Sequence, residues 1–190
     1  MLNIFWADAL QLSRAARREG NARDGCRMLR TDAWMILVLF RLREWILRHR
    51  IPVFNRVLRQ WQMTFAGVEL GNDIVLGHGV YFIHSLGTVV GGNAVLGDRV
   101  RLMGNNTIGA ARDDGSPTIG NDVEIGCGAR ILGPVRIGHG AVIGANAVVL
   151  HDVPDGATAV GVPARILTRA PFLTPVGTPP AEGRMMELVR

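Results

Sequence analysis

Two residues equipped for acid–base chemistry stand fifteen positions apart, Glu69 and His84. An imidazole titrates near neutrality and can accept the proton of a hydroxyl, while a carboxylate on its second ring nitrogen would fix the tautomer and favour the imidazolium that forms. Such a pairing makes a general base. On residue types alone, His84 reads equally as that base or as a corner residue with a satisfied hydrogen bond. Other candidates are weaker. Cys127, just after Ile125-Gly126, reads as a small packing residue rather than a nucleophile, and Asp113-Asp114 reads as a solvated loop pair.

The element that must position these residues is a repeat. From Val68 to Leu167 an aliphatic residue, often followed by glycine, returns every six positions. The series runs Leu70-Gly71, Leu76-Gly77, Phe82 and, after a two-residue slip, Val90-Gly91, Leu96-Gly97, Leu102 and Ile108-Gly109. Five extra residues interrupt it before Ile119-Gly120, Ile125-Gly126, Ile131, Ile137-Gly138, Ile143-Gly144 and Val149.

A period of six suits neither a helix nor a hairpin meander and predicts a hexapeptide solenoid. Three six-residue sides per coil give a mostly β fold over residues 67–167, a left-handed parallel β-helix of about five coils. Aliphatic side chains fill a narrow prism, and Gly, Asn or Asp takes the tight corners. Unbroken coils only stack, so chemistry is expected at the two breaks. One is the slip from Tyr81 to Gly87, which carries His84. The other is the loop from Ala110 to Pro117. Because Glu69 precedes His84 by nearly one coil, stacking is expected to bring the carboxylate beneath the imidazole.

Residues 1–66 read as a small helical part. Asp32 is placed to cap a helix from Ala33 to Arg50, ended by Pro52, and a further helix follows with Val53, Phe54, Val57, Leu58, Trp61 and Phe65 along one face. Such apolar helices need a surface to cover, and the end of the solenoid or a neighbouring subunit would serve. Residues 168–190, with Pro171, Pro175, Pro179 and Pro180, have no period and read as an extended arm or a disordered tail, with room for a short helix around Met185 to Val189.

All 21 basic residues other than histidine are arginine. Residues 1–65 hold 12 of them against 5 acids, whereas the remainder carries 9 against 11, so the basic character belongs to the helices. No zinc-finger spacing, RNA-binding signature or stacking platform accompanies the charge, which argues against nucleic acid. A solvated helix face explains it, and a peripheral membrane contact through the basic helices is the alternative. Two cysteines make no disulfide framework and suit a cytoplasmic setting. No signal peptide is evident, and the longest apolar run, Ala33 to Phe40, is too short to cross a bilayer.

The order Glu69, His84-Ser85-Leu86-Gly87, Thr107-Ile108-Gly109, Ile131-Leu132-Gly133, Ile143-Gly144-Ala145-Asn146 and Gly161-Val162-Pro163-Ala164-Arg165 resembles the serine O-acetyltransferase family. The resemblance covers Val68 to Leu167. It implies acetyl transfer from acetyl-CoA to a hydroxyl, no metal, and a homotrimer with active sites between adjacent solenoids. It implies His84 as catalytic base, Glu69 as its acidic partner, and coenzyme A contacts at Gly109, Ala110, Cys127, Ala145, Thr158 and Arg165. Backbone N–H groups near Gly109-Ala110 would serve the oxyanion.

Three positions depart from the family's pattern. Ile83 stands where an Asp is usual, and Gly115 and Ser116 stand in place of an Arg-His pair that handles an amino acid. Unanswered charges on an amino acid are costly to bury. This resembles the family's sugar O-acetyltransferases of exopolysaccharide assembly, and points to a sugar acceptor held by neutral partners such as Ser85, Asn105, Asn106 and Ser116. L-serine is the alternative acceptor, and a non-catalytic trimeric scaffold is a further one. A zinc site drawn from His49, His78, His84, His139 and His151 is a minor reading, because six-residue spacing does not make ligands converge.

Overall fold

The computed structural model describes residues 2–16, 20–111 and 115–167. The tail from 168 and the Asp113-Asp114 pair lie outside these residues. Four helices, α1 (Leu2–Ala15), α2 (Ala22–Met28), α3 (Asp32–Arg48) and α4 (Pro52–Ala66), precede a three-sided parallel β-solenoid.

The first side stacks β1 (Val68–Leu70), β4 (Thr88–Val90), β7 (Thr107–Gly109), β10 (Arg130–Leu132) and β13 (Val148–Val149). The second stacks β2 (Val75–Leu76), β5 (Val95–Leu96), β8 (Thr118–Ile119) and β11 (Arg136–Ile137), extended by a bridge from Ile137 to Val153. The third stacks β3 (Tyr81–Phe82), β6 (Arg101–Leu102), β9 (Glu124–Ile125), β12 (Val142–Ile143) and β14 (Thr158–Val160), closed by the antiparallel β15 (Arg165–Leu167). Four coils are complete, and the fifth has the Val153 bridge as its middle side.

Register confirms where the period breaks. On the first side Val68 pairs with Thr88, Val89 with Thr107, Thr107 with Arg130 and Arg130 with Val148, so successive coils advance by 20, 18, 23 and 18 residues. The aliphatic residues of the repeat fill the prism. Leu70, Leu96, Leu102, Ile108, Ile125 and Ile131 are at most 1% exposed. Each contributes about 1.5–3 kcal/mol by leaving water. The neighbouring strand residue points outward, which leaves Glu69, Val89, Thr107, Arg130 and Val148 as the outer column of the first side.

The helices close the N-terminal end. The cap of α3 is Thr31, whose side chain accepts from the Trp34 N–H at 3.3 Å, so the helix begins at Asp32, one residue before the expected start. Asp32 is its first residue, where a carboxylate suits the helix dipole. The helix ends at Arg48, and Pro52 opens α4 at the position where a missing N–H costs nothing. Gly67, with φ 62°, ends α4 and turns the chain into β1.

Of the two surfaces expected for the apolar face of α4, the solenoid end is not the one it covers: Val53, Phe54, Val57, Trp61 and Phe65 are exposed, while Asn55, Gln62 and Ala66 are buried. The cause is Arg43 on α3, itself 1% exposed. Arg43 donates to Asn55 Oδ1 at 3.1 Å, Gln62 Oε1 at 2.8 Å, the Leu70 carbonyl at 3.0 Å and Asn72 Oδ1 at 2.9 Å. A buried guanidinium needs these acceptors, so the polar face of α4 turns inward. Burial, aided by the nearby charge of Arg59, holds its pKa down to about 10.

A second buried charge docks α1. The carboxylate of Asp8 accepts from Arg41 Nε at 3.0 Å and Nη2 at 3.3 Å, from the Gly79 N–H at 3.3 Å, and bonds His78 Nδ1 at 2.8 Å. Arg41 also donates to the carbonyls of Leu76 and Gly77. The first coil is thereby clamped between α1 and α3. No helix among the described residues is long and apolar enough to cross a membrane.

Candidate active site

The two breaks open on opposite edges of the first side. The segment after β3, Ile83 to Gly87, forms the edge between the third and first sides, and each later coil lays its own corner on it. The Gly87 N–H donates to the Gly67 carbonyl at 2.9 Å, Asn105 to Leu86 at 2.9 Å, Gly128 to Gly104 at 3.1 Å and Asn146 to Cys127 at 2.9 Å. His84, Ser85, Asn105, Cys127 and Ala145 therefore share one edge. His84, Asn105, Cys127 and Ala145 are exposed there, and Ser85 is half-buried. Gly109, Ala110 and Ser116 lie on the opposite edge, between the first and second sides, where the five-residue insertion leaves the coil.

His84 is seated against the next coil. A Cβ added at Gly104, where φ is 100°, would lie 2.9 Å from the His84 Cβ and 3.0 Å from its carbonyl oxygen. Only glycine fits against the His84 backbone at this turn.

Glu69 is not bonded to His84. Its carboxylate accepts from Arg59 Nη2 of α4 at 2.5 Å, and no hydrogen bond joins it to the imidazole among the described residues. Proximity along the coil brought Glu69 to the outer column of the first side, but a basic residue ten positions earlier claimed its charge. Arg59 carries no repeat signal, so nothing in the period pointed to it. Its Nε is buried without a hydrogen-bond partner among the described residues.

Two of the expected acceptor contacts serve the scaffold instead. Asn106 is fully buried, accepts from the Gly104 N–H at 3.1 Å and donates to the Gly126 carbonyl at 2.7 Å, so its amide is spent inside the prism. Ser116 Oγ accepts from the Asn93 N–H at 3.1 Å and braces a lower corner. Asn105, with φ 50°, keeps an exposed side chain, and its carbonyl accepts from Arg130 of the outer column. Arg130 is a cation at this edge that the sequence reading did not single out.

The remaining expected donor contacts lie at the far end. Thr158 is buried at 7% exposure beneath β15, paired with Leu167, whereas Arg165 is exposed opposite Val160. Among the described residues no three of His, Cys, Asp and Glu are grouped as a metal site would require.

A parallel solenoid of six-residue repeats, with an exposed histidine at an early irregular corner, defines the class of hexapeptide-repeat transferases. Residues 116–151 match the family described as bacterial transferase hexapeptide (six repeats). A serine acetyltransferase of Synechococcus elongatus is 36% identical over 157 residues, covering 80% of this chain and 64% of that protein. The soybean serine acetyltransferase complexed with serine superposes with a TM-score of 0.77 at 33% identity, covering 87% of this chain and 70% of that one. A serine acetyltransferase in complex with CoA superposes with a TM-score of 0.75 at 31% identity, covering 86% and 68%. The chain belongs to the serine acetyltransferase family. It spans less than two thirds of the length of the cyanobacterial relative.

Proposed function

We propose that the chain transfers the acetyl group of acetyl-CoA to the hydroxyl of serine, with His84 as general base. The acceptor oxygen attacks the thioester carbonyl as its proton passes to the imidazole. Backbone N–H groups near Gly109-Ala110 hold the developing oxyanion. The intermediate then collapses, the carbon–sulfur bond breaks, and the departing thiolate recovers the proton from the imidazolium. The products are an acetyl ester and the free thiol of CoA.

The observation that carries this reading is the division of the site between two edges. His84, Cys127 and Ala145 stand on one and Gly109, Ala110 and Ser116 on the other, so apposed edges of neighbouring copies supply both halves. A homotrimer of parallel solenoids achieves this for every copy.

Serine is favoured over a sugar for two reasons. The relatives are serine acetyltransferases by name, and one is a complex with serine. The preference for a sugar rested partly on Asn106 and Ser116 as neutral partners, and both are hydrogen-bonded within the solenoid. Against serine stand the neutral residues Ile83, Gly115 and Ser116, which keep the sugar as the competing acceptor.

Release of CoA thiol by the purified protein, measured with serine beside nucleotide sugars and short glycans, decides between them. Turnover of serine alone supports the reading. Turnover of sugars without serine replaces the acceptor but keeps the chemistry, and no turnover with no CoA binding favours a scaffold.

A further inference from the structure

We propose that Arg130 binds the carboxylate of the acceptor and so supplies the charge that Gly115 and Ser116 do not, an inference that deepens the serine reading and rests on it. Arg130 opens β10 just after the corner that carries Cys127, on the edge shared with His84. Its Nη1 donates to the Asn105 carbonyl and, at 3.4 Å, to the Ala129 carbonyl, while its Nη2 donates to Asn105 Oδ1 at 3.4 Å. Asn105 in turn rests on the corner of His84, because its N–H donates to the Leu86 carbonyl at 2.9 Å. The side chain therefore reaches back across one coil, and its guanidinium stands at the corner adjacent to that of His84.

Among the described residues no carboxylate answers this charge, and each acceptor of its hydrogen bonds is neutral. Its neighbours in the outer column are Thr107 and Val148. The corners of the edge, residues 83–87, 103–106, 126–129 and 144–147, hold no arginine, aspartate or glutamate. By contrast Arg59, Arg99 and Arg101 are each spent on a carboxylate, those of Glu69, Asp122 and Glu124. A planar guanidinium held only by neutral oxygens keeps its charge and its fork of N–H groups for an anion.

Reach selects the anion. A hydroxyl poised at His84 has its carboxylate a few bonds away, a span comparable to one coil height of about 4.7–4.9 Å. The phosphates of CoA are set apart from the thioester by the whole pantetheine arm, which spans several coils, so they fall beyond this guanidinium.

The test measures thiol release by the full chain with serine and with serinamide, which keeps the hydroxyl and the ammonium but lacks the carboxylate. The parent, Arg130→Gln and Arg130→Lys are compared. The expected result is a parent that prefers serine, a loss of kcat/KM for serine of about ten- to hundredfold in Arg130→Gln, carried mainly by KM, and partial recovery in Arg130→Lys. The preference for serine over serinamide collapses in Arg130→Gln, and KM for acetyl-CoA stays with the parent's. A preference retained by Arg130→Gln overturns this proposal alone and leaves the serine reading standing, whereas absence of serine turnover by the parent removes both. A raised KM for acetyl-CoA with serine unaffected overturns it by giving the guanidinium to the phosphates. A smaller sedimenting species in Arg130→Gln overturns it by giving the guanidinium to a carboxylate of a neighbouring copy.

Discussion

The Arg59 guanidinium donates to the Glu69 carboxylate at 2.5 Å, drawing the acid expected beside His84 towards α4. Both side chains are a little over one third exposed, so the pair itself adds only about 0.2–1 kcal/mol to stability. Its interest is functional. If Glu69 serves His84 during turnover, Glu69→Gln lowers kcat by about 10²-fold or more, while Arg59→Met leaves kcat near the parent value and frees the acid. Equal losses in both variants would show that Glu69 acts only through the ion pair.

His84 is exposed, so His84→Ala is expected to leave the thermal unfolding transition unchanged while lowering kcat by about 10²–10⁴-fold. Gly104→Ala probes the same residue from below. The added methyl has only 2.9 Å to the His84 Cβ and must move the corner. The expected outcome is a loss of about tenfold or more in kcat with CoA affinity retained, read from steady-state kinetics beside a direct binding titration.

Asp8 carries the docking of α1. Asp8→Ala leaves Arg41 with Glu44 as its remaining carboxylate and removes the bonds to His78 and Gly79, so about 1.5–3 kcal/mol of stability should go with it. Urea unfolding followed by tryptophan fluorescence would register the loss, since Trp6 lies on the same helix.

Arg43 predicts an unusual alkaline response. Its folded pKa, about 10, lies below the ordinary value because burial and the neighbouring Arg59 disfavour the charge. Between pH 10 and the unfolded value the unfolded chain binds more protons, so this group makes stability rise with pH. Relative to Arg43→Met, the parent should therefore gain about 1 kcal/mol in unfolding free energy between pH 9.5 and 11, measured by urea titration. At neutral pH the variant should be the less stable, because the acceptors of Asn55, Gln62 and Asn72 lose their donor.

Much of the scaffold was legible because the repeat states its geometry directly. Leu70, Leu76 and Phe82 each announce one side of one coil, and the slips before Val90 and Ile119 mark the two irregular corners. The cap of α3 was misread by one residue, since Thr31 and Asp32 are both good caps and only backbone geometry separates them. Asn106 and Ser116 look available because polar residues near a break resemble ligand contacts, yet Asn106 is bonded to Gly104 and Gly126 inside the prism and Ser116 Oγ accepts from Asn93 of the coil below.

The sequence leaves open which surface the apolar stripe of α4 covers, and the structure removes the solenoid end. The hydrophobic pattern gives no hint that a single arginine on α3 demands the polar face instead. A buried guanidinium is a cost that a pattern of side-chain hydropathies does not register.

What the sequence determined by itself is the solenoid, its breaks, and the placement of Glu69 and His84 near one coil's spacing, because a short-period repeat encodes its contacts along the chain. Only the tertiary structure decided which partner each charge takes. Arg59 with Glu69, Arg43 with Asn55 and Gln62, and Asp8 with Arg41 and His78 are pairings between elements, set by which groups burial leaves in need of a partner.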